Sequence, residues 1–401
     1  MKKNTSVHKG VPKNIICISS VDWFPIPTRK QQVMSRLPRR HNILYVEPPI
    51  TLLSPIKDRG LTFKLNRFMK GNRKIKDNIV AYCPPPILPF GNIFKWINKI
   101  NQWWIAAFIK RAARNAGMDN PLIWTYMPNS YDLVKKMNYK ALVYDCVDEH
   151  SEYKGFINKN TMLTMERELI KKCDVVFVTA GGLYDSKSKY NKNTFMITNG
   201  VNFELFNSVQ DEKIQPHEEV KNLPRPVVGF IGVIQEWIDL DLIFEIAQNN
   251  PGLSVLMVGP IGAGVDVERL RNLTNVYFVG AKKPEILPYY IKIFDVCINP
   301  FRQSNLTRNV SPLKFYEYLA TGKPIVTVDM PAVREFSDCV LIAKDNREFI
   351  YKVKEAIERD TEELKQKRIA KGKENSWEEK VTAMLDILNE RLGGNVDDGK
   401  V

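Results

Sequence analysis

Apolar positions along this chain cluster into short unbroken runs, each closed by glycine, proline or a polar residue, with helical patterns between. Asn14–Ser19, Ile43–Val46, Leu122–Thr125, Ala141–Tyr144 and Asp174–Thr179 form one series of runs, and Phe195–Gly200 closes it. Pro226–Gly232, Ser254–Gly259, Val276–Gly280 and Val296–Pro300 form a second. Runs that do not alternate with polar residues predict strands buried on both faces, as in parallel sheets. Strand alternating with helix, twice over, predicts an α/β chain of two doubly wound parallel sheets. Residues 51–92 lack the pattern and read as loop, with a basic cluster from Lys64 to Lys76 and a break at Pro84-Pro85-Pro86. Gln210–Asn222 is charged and patternless, as a linker would be, and Thr361–Glu374 is charged without a visible cap.

The best punctuated element runs from Ser311 to Val326. Ser311 is a favoured N-cap, Pro312 a favoured first helical residue and Gly322 a favoured left-handed C-cap, and Pro324 precedes a strand. Lys314 and Glu317 stand three apart and share a face. A helix start with a lysine can hold phosphate, and a glutamate one turn on can accept from a ribose diol. The same pair also suits an ordinary surface ion pair. Gly232 and Gly259 end strands where backbone can approach a ligand.

In the first half, Asp145-Cys-Val-Asp-Glu-His150 follows a buried strand and offers Asp148 and Asp145 as general bases, with His150 beside them. An acid-rich helix start would look similar. Asp22 and Trp23 lie in the loop after the first strand, where doubly wound sheets bind ligands. Arg29 opposes the macrodipole of the next helix, a placement eased by an arriving anion. Asn92–Arg114 predicts an amphipathic helix with Ile93, Ile97, Ile100 and Trp104 on one stripe, Trp96 and Trp103 on its flank, and Lys95 and Lys99 around them. That composition serves a membrane interface or a core helix.

Charge sharpens this division. Of the net +14, residues 1–200 carry +19 and residues 201–401 carry −5. A basic first half suits an anionic membrane surface or another polyanion. With 44% apolar and 26% charged residues and no run approaching twenty apolar residues, the composition is that of a water-soluble protein without a spanning helix. Six scattered cysteines without Cys-x-x-Cys predict reduced core thiols and hence a cytoplasmic protein. The four histidines are scattered, so no metal site is expected. Asp239-Leu-Asp241 opens a helix and reads as capping. No dinucleotide or Walker motif is present.

"SPLKFYEYLATGKPIV", preceded by "DVCINPFRQSNLTRN" and far upstream by "NGVNFELF", resembles the donor half of a GT-B glycosyltransferase. The resemblance covers nearly the whole chain. It is strongest to the teichuronic acid biosynthesis glycosyltransferases and more distant to the xanthan β-glucuronosyltransferase type. It implies two Rossmann-like domains facing each other across a cleft. The expected divisions are an acceptor-binding, membrane-facing domain at 1–208, a linker at 209–224, a nucleotide-sugar domain at 225–374, a helix at 375–392 returning to the first domain, and a disordered tail at 393–401. It implies that Lys314 contacts a UDP diphosphate and Glu317 the ribose, with Ser311, Asn309, Arg308 and Arg302 nearby. Position 309 is Asn where retaining family 4 relatives have a glutamate, and their Arg/Lys pair is missing from Ile231–Trp237. Both departures favour inversion, with Asp148 as base.

The expected activity is a hexosyltransferase moving a sugar from a UDP-sugar, with UDP-glucuronic acid foremost, to a lipid-linked saccharide in cell-wall or exopolysaccharide synthesis. The enzyme would sit at the inner face of the cell membrane, need no cofactor or metal, and bind no nucleic acid. A retaining family 4-type transferase, a UDP-sugar 2-epimerase and a non-catalytic polyanion-binding protein are the alternatives.

Overall fold

The computed structural model describes residues 10–25, 27–52, 60–152, 155, 157–304, 307 and 310–393. The chain divides into two compact units, residues 1–198 with 381–401 and residues 199–380. Residues 209–224, expected as a linker, lie inside the second unit. The last helix, Trp377–Gly393, contributes residues to both units and includes Gly393, which was expected in the tail; the rest of that tail lies outside the described residues.

The first unit holds eight strands: β1 (Asn14–Ile18), β2 (Asn42–Val46), β3 (Arg73–Lys76), β4 (Ile79–Tyr82), β5 (Leu122–Thr125), β6 (Ala141–Cys146), β7 (Val175–Val178) and β8 (Thr194–Met196). Their order is β3-β4-β2-β1-β5-β6-β7-β8, parallel except for β3 against β4. The stretch expected as loop therefore contains a helix, Gly60–Met69, and two paired strands, β3 and β4. Ile79–Tyr82 is too short to stand out beside its lysine-rich approach, and the charged β3 blunts that edge.

The second unit holds β9 (Val227–Ile231), β10 (Ser254–Val258), β11 (Val276–Gly280), β12 (Val296–Asn299), β13 (Ile325–Val328) and β14 (Leu341–Ala343), all parallel, in the order β11-β10-β9-β12-β13-β14. Each unit has its own hydrophobic core. Gly229 in β9 admits the Phe294 ring, which would stand 2.1 Å from an added Cβ. All six cysteines are buried and unbonded to one another.

Thr361, read as capless, caps the helix Glu362–Glu374 by accepting from the Leu364 amide. That helix buries Arg368, whose guanidinium holds Asp360 through two 2.7 Å bonds and donates to the carbonyls of Gly322 and Cys339. A surface-like run of charges thus conceals an arginine that anchors the end of the helix Leu313–Thr321.

Candidate functional site

The helix Leu313–Thr321 forms where its caps predict, displaced by one residue. Pro312 is the N-cap, Leu313 the first helical residue, and Gly322 the left-handed C-cap at φ 69°. Phe315, Tyr316, Tyr318, Leu319 and Ala320 are fully buried, and the Tyr318 hydroxyl accepts from the Ile231 amide at 2.7 Å, tying the helix to the end of β9. That tie holds Gly232 beside Lys314, whose Cγ would lie 3.8 Å from a Cβ at Gly232. Gly259 packs still tighter: at φ 149° its Cβ would fall 1.9 Å from the Gly232 carbonyl oxygen, so only glycine fits. Chain order reverses between β9 and β12, and Gly232 and Lys314 lie at the carboxyl ends beside that reversal. Open α/β sheets bind ligands at such a point.

Lys314 Nζ donates to Glu317 at 2.7 Å, with both side chains half-buried. Burial raises the Glu317 carboxyl above its ordinary range, and the Lys314 ammonium opposes it. The pair is compatible with either reading of the spacing. It gives a partly desolvated cation and an acceptor-rich carboxylate one turn apart.

Other expected donor-site residues fare differently. Ser311 is neither N-cap nor free for phosphate: its Oγ accepts from the Asn199 amide at 3.1 Å and donates to Tyr316. Asn199 Nδ2 also donates to the Ser311 carbonyl. The Asn-Gly-Val-Asn segment therefore serves to lock this loop. Arg302 turns toward Asp241 (3.3 Å) and the Ile238 carbonyl. Arg308 and Asn309 lie outside the described residues. Asp239 caps its helix by accepting from the Leu242 amide, as expected of Asp-x-Asp, and no cluster suited to a metal is found among the described residues.

In the first unit Asp145 is fully buried, and Arg29, also buried, donates through Nε to both carboxylate oxygens at 3.0 Å and through Nη1 to the Thr198 carbonyl. The anion that Arg29 was expected to await is therefore this side chain. The second candidate base is corrected to a structural ion-pair partner, because its oxygens are held and shut from solvent. Asp148 is half-buried just past the carboxyl end of β6, and its charge favours the buried Lys30 ammonium. Lys30 is itself lowered by desolvation, which Asp148 and Asp145 oppose. His150 is lowered by desolvation, against the pull of Asp148 and Glu166.

Sequence reading missed the anchor beneath this segment. Lys187 bridges Glu149 (3.0 Å) and Glu166 (2.7 Å), and Glu166 also accepts from Tyr144 at 2.7 Å. Burial pulls the Lys187 ammonium down, but Glu166 and Glu149 outweigh it and leave it raised. Their separation of 21 and 38 residues left no local signal. Likewise Asp22 pairs with Lys64 and Arg67, and the buried Glu47 holds Arg67 (3.1 Å), Arg73 (2.5 Å) and the Trp23 amide (3.1 Å). Trp23 is buried edge-on against Tyr45.

The helix Lys95–Asn115 departs from its expected stripe. Ile97, Ile105 and Ile109 face inward, but so do Asn98, Asn101 and Gln102. Trp96, Ile100, Trp103 and Trp104 are 63, 46, 60 and 46% exposed. Lys95 is exposed and pairs with Glu168, and Lys99 is exposed. Among the described residues no helix is long and apolar enough to cross a membrane.

Comparison with known proteins adds three findings. Residues 225–359 match the family described as Glycosyl transferases group 1. The chain is 27% identical over 223 residues to the Bacillus subtilis protein TuaH, whose name assigns it to teichuronic acid biosynthesis as a glycosyltransferase. That alignment spans 52% of this chain and 56% of the relative, so it speaks for about half of each. Among solved structures, the sucrose-phosphate synthase of Thermosynechococcus elongatus matches with TM-score 0.63 at 16% identity, over 95% of this chain and 98% of that one. The Anabaena protein HepE, solved with UDP and glucose, matches with TM-score 0.64 at 14% identity, over 94 and 100%.

The fold is GT-B. At these identities the structural likeness speaks for the fold alone. The group 1 match falls on the unit that carries Gly232, Gly259, Lys314 and Glu317.

Proposed function

We propose that the protein is a hexosyltransferase that moves a sugar from a UDP-sugar to a saccharide acceptor in cell-wall polysaccharide synthesis. The observation that carries this reading is the placement of Gly232 and Lys314 at the carboxyl-end reversal of the second sheet, inside the region matching Glycosyl transferases group 1. UDP is the donor nucleotide favoured by the UDP in the HepE structure, and the TuaH likeness favours a wall polymer as product. Lys314 and the amides at the start of its helix stabilise the departing diphosphate without a metal. Glu317 accepts from the ribose hydroxyls.

The transfer proceeds with inversion. The acceptor hydroxyl attacks the anomeric carbon as the bond to UDP breaks, and a base takes the hydroxyl proton. Asp148 is that base: it lies just past the carboxyl end of β6 and keeps some exposure, whereas Asp145 is fully buried. His150, depressed by burial and so neutral near pH 7, is the second candidate. UDP-glucuronic acid is the first donor to try. The acceptor is a lipid-linked saccharide reached at the inner membrane face, supported by the exposed Trp96, Trp103 and Trp104 and by the basic first half.

The test is UDP release from a panel of UDP-sugars with membrane extract as acceptor source, followed by NMR of the product. Asp148→Asn should lower turnover about 10²–10⁴-fold while UDP affinity holds. An α-linked product from an α-linked donor overturns inversion. Near-normal turnover in Asp148→Asn moves the base to His150.

A further inference from the structure

A cavity of about 470 Å³ opens on the second unit at the amino ends of β12 and β13, the opposite edge of the sheet from Gly232 and Lys314. Its wall includes Lys292 and Asp295, which precede β12, and Gly322 and Lys323, which precede β13. Asp360 and Lys365 join it from the start of the helix Glu362–Glu374. Gly322 is also the C-cap of the helix Leu313–Thr321, so the cavity adjoins the far end of the element that carries Lys314 and Glu317. Eight residues at 1.5 Å each put Lys314 and Gly322 roughly 12 Å apart along the helix, which makes this a separate site.

The carboxylates of the wall are already taken. Asp295 accepts from Arg225 and, at 2.7 Å, from the Val227 amide. Both Asp360 oxygens are held by Arg368. The lysines are not matched in this way. Lys365 pairs with Glu362 at 3.3 Å, in the first turn of a helix whose macrodipole opposes a cation. Lys292 and Lys323 have no carboxylate partner among the described residues. Lys292 Nζ donates to the carbonyls of Val209 (2.8 Å) and Asp211 (3.0 Å), and Lys323 Nζ donates to the Lys292 carbonyl at 3.2 Å. Each ammonium carries three protons, so all three lysines keep protons for a ligand.

Lys323 is the most exacting of the three. Burial pulls its ammonium down, and the charges of Arg225 and Lys292 push the same way, against Cys297 and Asp295. A partly desolvated cation among like charges is unfavourable until an anion meets it. Cations from three separate segments around a cavity of this size suit an anion longer than one phosphate and carrying more than one charge. Phe294 in the wall is fully buried, so it offers no ring face to a nucleobase.

We propose that this cavity is an anion site, distinct from the donor site, that takes a diphosphate group through Lys292, Lys323 and Lys365. The inference goes beyond the transferase reading and does not depend on it. Bound there, the anion draws together the loops before β12 and β13 and the start of the helix Glu362–Glu374, and so stiffens the C-cap of the helix that carries Lys314 and Glu317.

The test is isothermal titration of inorganic diphosphate into the full chain carrying Lys314→Ala, which weakens the donor site, with inorganic phosphate and ADP as comparison ligands. The expected result is saturable diphosphate binding that fades with added salt, exceeds that of phosphate, and is about tenfold weaker in Lys314→Ala/Lys323→Gln. ADP binding as tightly as diphosphate makes a nucleotide the source of the group, and diphosphate binding alone makes it the free anion; both uphold the site. Lys323→Gln removes a disfavoured charge and should keep the melting transition of its parent; if it does not fold, the partly exposed Lys365→Gln replaces it. In the otherwise unaltered chain, Lys323→Gln should leave UDP affinity unchanged. No diphosphate binding in Lys314→Ala, equal binding with and without Lys323, or phosphate binding as well as diphosphate overturns the inference. So does loss of UDP affinity in Lys323→Gln, which would make the two sites one.

Discussion

Two aspartates three residues apart, Asp145 and Asp148, should respond oppositely to the same substitution. Asp145 is fully buried with both oxygens on Arg29, while Asp148 is half-buried and near Lys30 and His150. Removing one partner of a buried pair strands the other charge, at a cost of about 3–5 kcal/mol. For a unit of this size 1 kcal/mol corresponds to roughly 2–4 °C in Tm. Asp145→Asn and Arg29→Met should therefore each lower the transition by roughly 6–20 °C. Arg29→Met also removes the bond to the Thr198 carbonyl, which places it toward the larger end. The double variant Arg29→Met/Asp145→Leu removes both charges and should recover much of the loss, since an apolar replacement of a buried pair is often near neutral. Asp148→Asn should leave Tm within a few degrees. Calorimetric or circular-dichroism melts of all four variants measure this directly. A Tm within 2 °C of wild type for Arg29→Met, or a double variant no better than the worse single one, would refute the assignment of Asp145 to a structural role.

At the donor site, Glu317→Ala should weaken UDP binding by about 1.5–3 kcal/mol, and Lys314→Ala should reduce turnover more than affinity; wild-type behaviour in both, by calorimetry and UDP release, dismisses the donor-site reading. Replacing Trp96, Trp103 and Trp104 by alanine should abolish sedimentation with anionic vesicles, and binding by wild type should fade with added salt; equal binding to neutral vesicles at all salt concentrations removes the electrostatic part. His150 is depressed in the fold, so it binds fewer protons folded than unfolded. The stability associated with its neutral form is present above the ordinary histidine range and lost as pH falls through it. Melts of His150→Gln should accordingly show a shallower loss of Tm than wild type between about pH 7 and 5; parallel curves count against the depressed histidine.

Local chemistry determined much of this protein from sequence alone. Continuous apolar runs can be stable only between two layers, so two parallel sheets followed without knowledge of their neighbours. Gly322 and Pro324 end a helix by backbone geometry, and Lys314 and Glu317 share a face by helical period. Those effects act within a few residues. Tertiary structure decided what depends on distant partners. Arg29 meets Asp145 across 116 positions, which turned a possible anion site into an internal ion pair. Ser311 meets Asn199 across 112, which took a presumed phosphate ligand into the loop's own bonding. Thr361–Glu374 looks like a solvated run until Arg368 is seen holding the Gly322 carbonyl. The tryptophan-rich helix was ambiguous for a related reason: its period shows that two faces exist, but not which one the fold covers. Packing buried Asn98, Asn101 and Gln102, whose amides bond the Leu88 backbone, the Asn129 carbonyl and one another, and left the tryptophans outside.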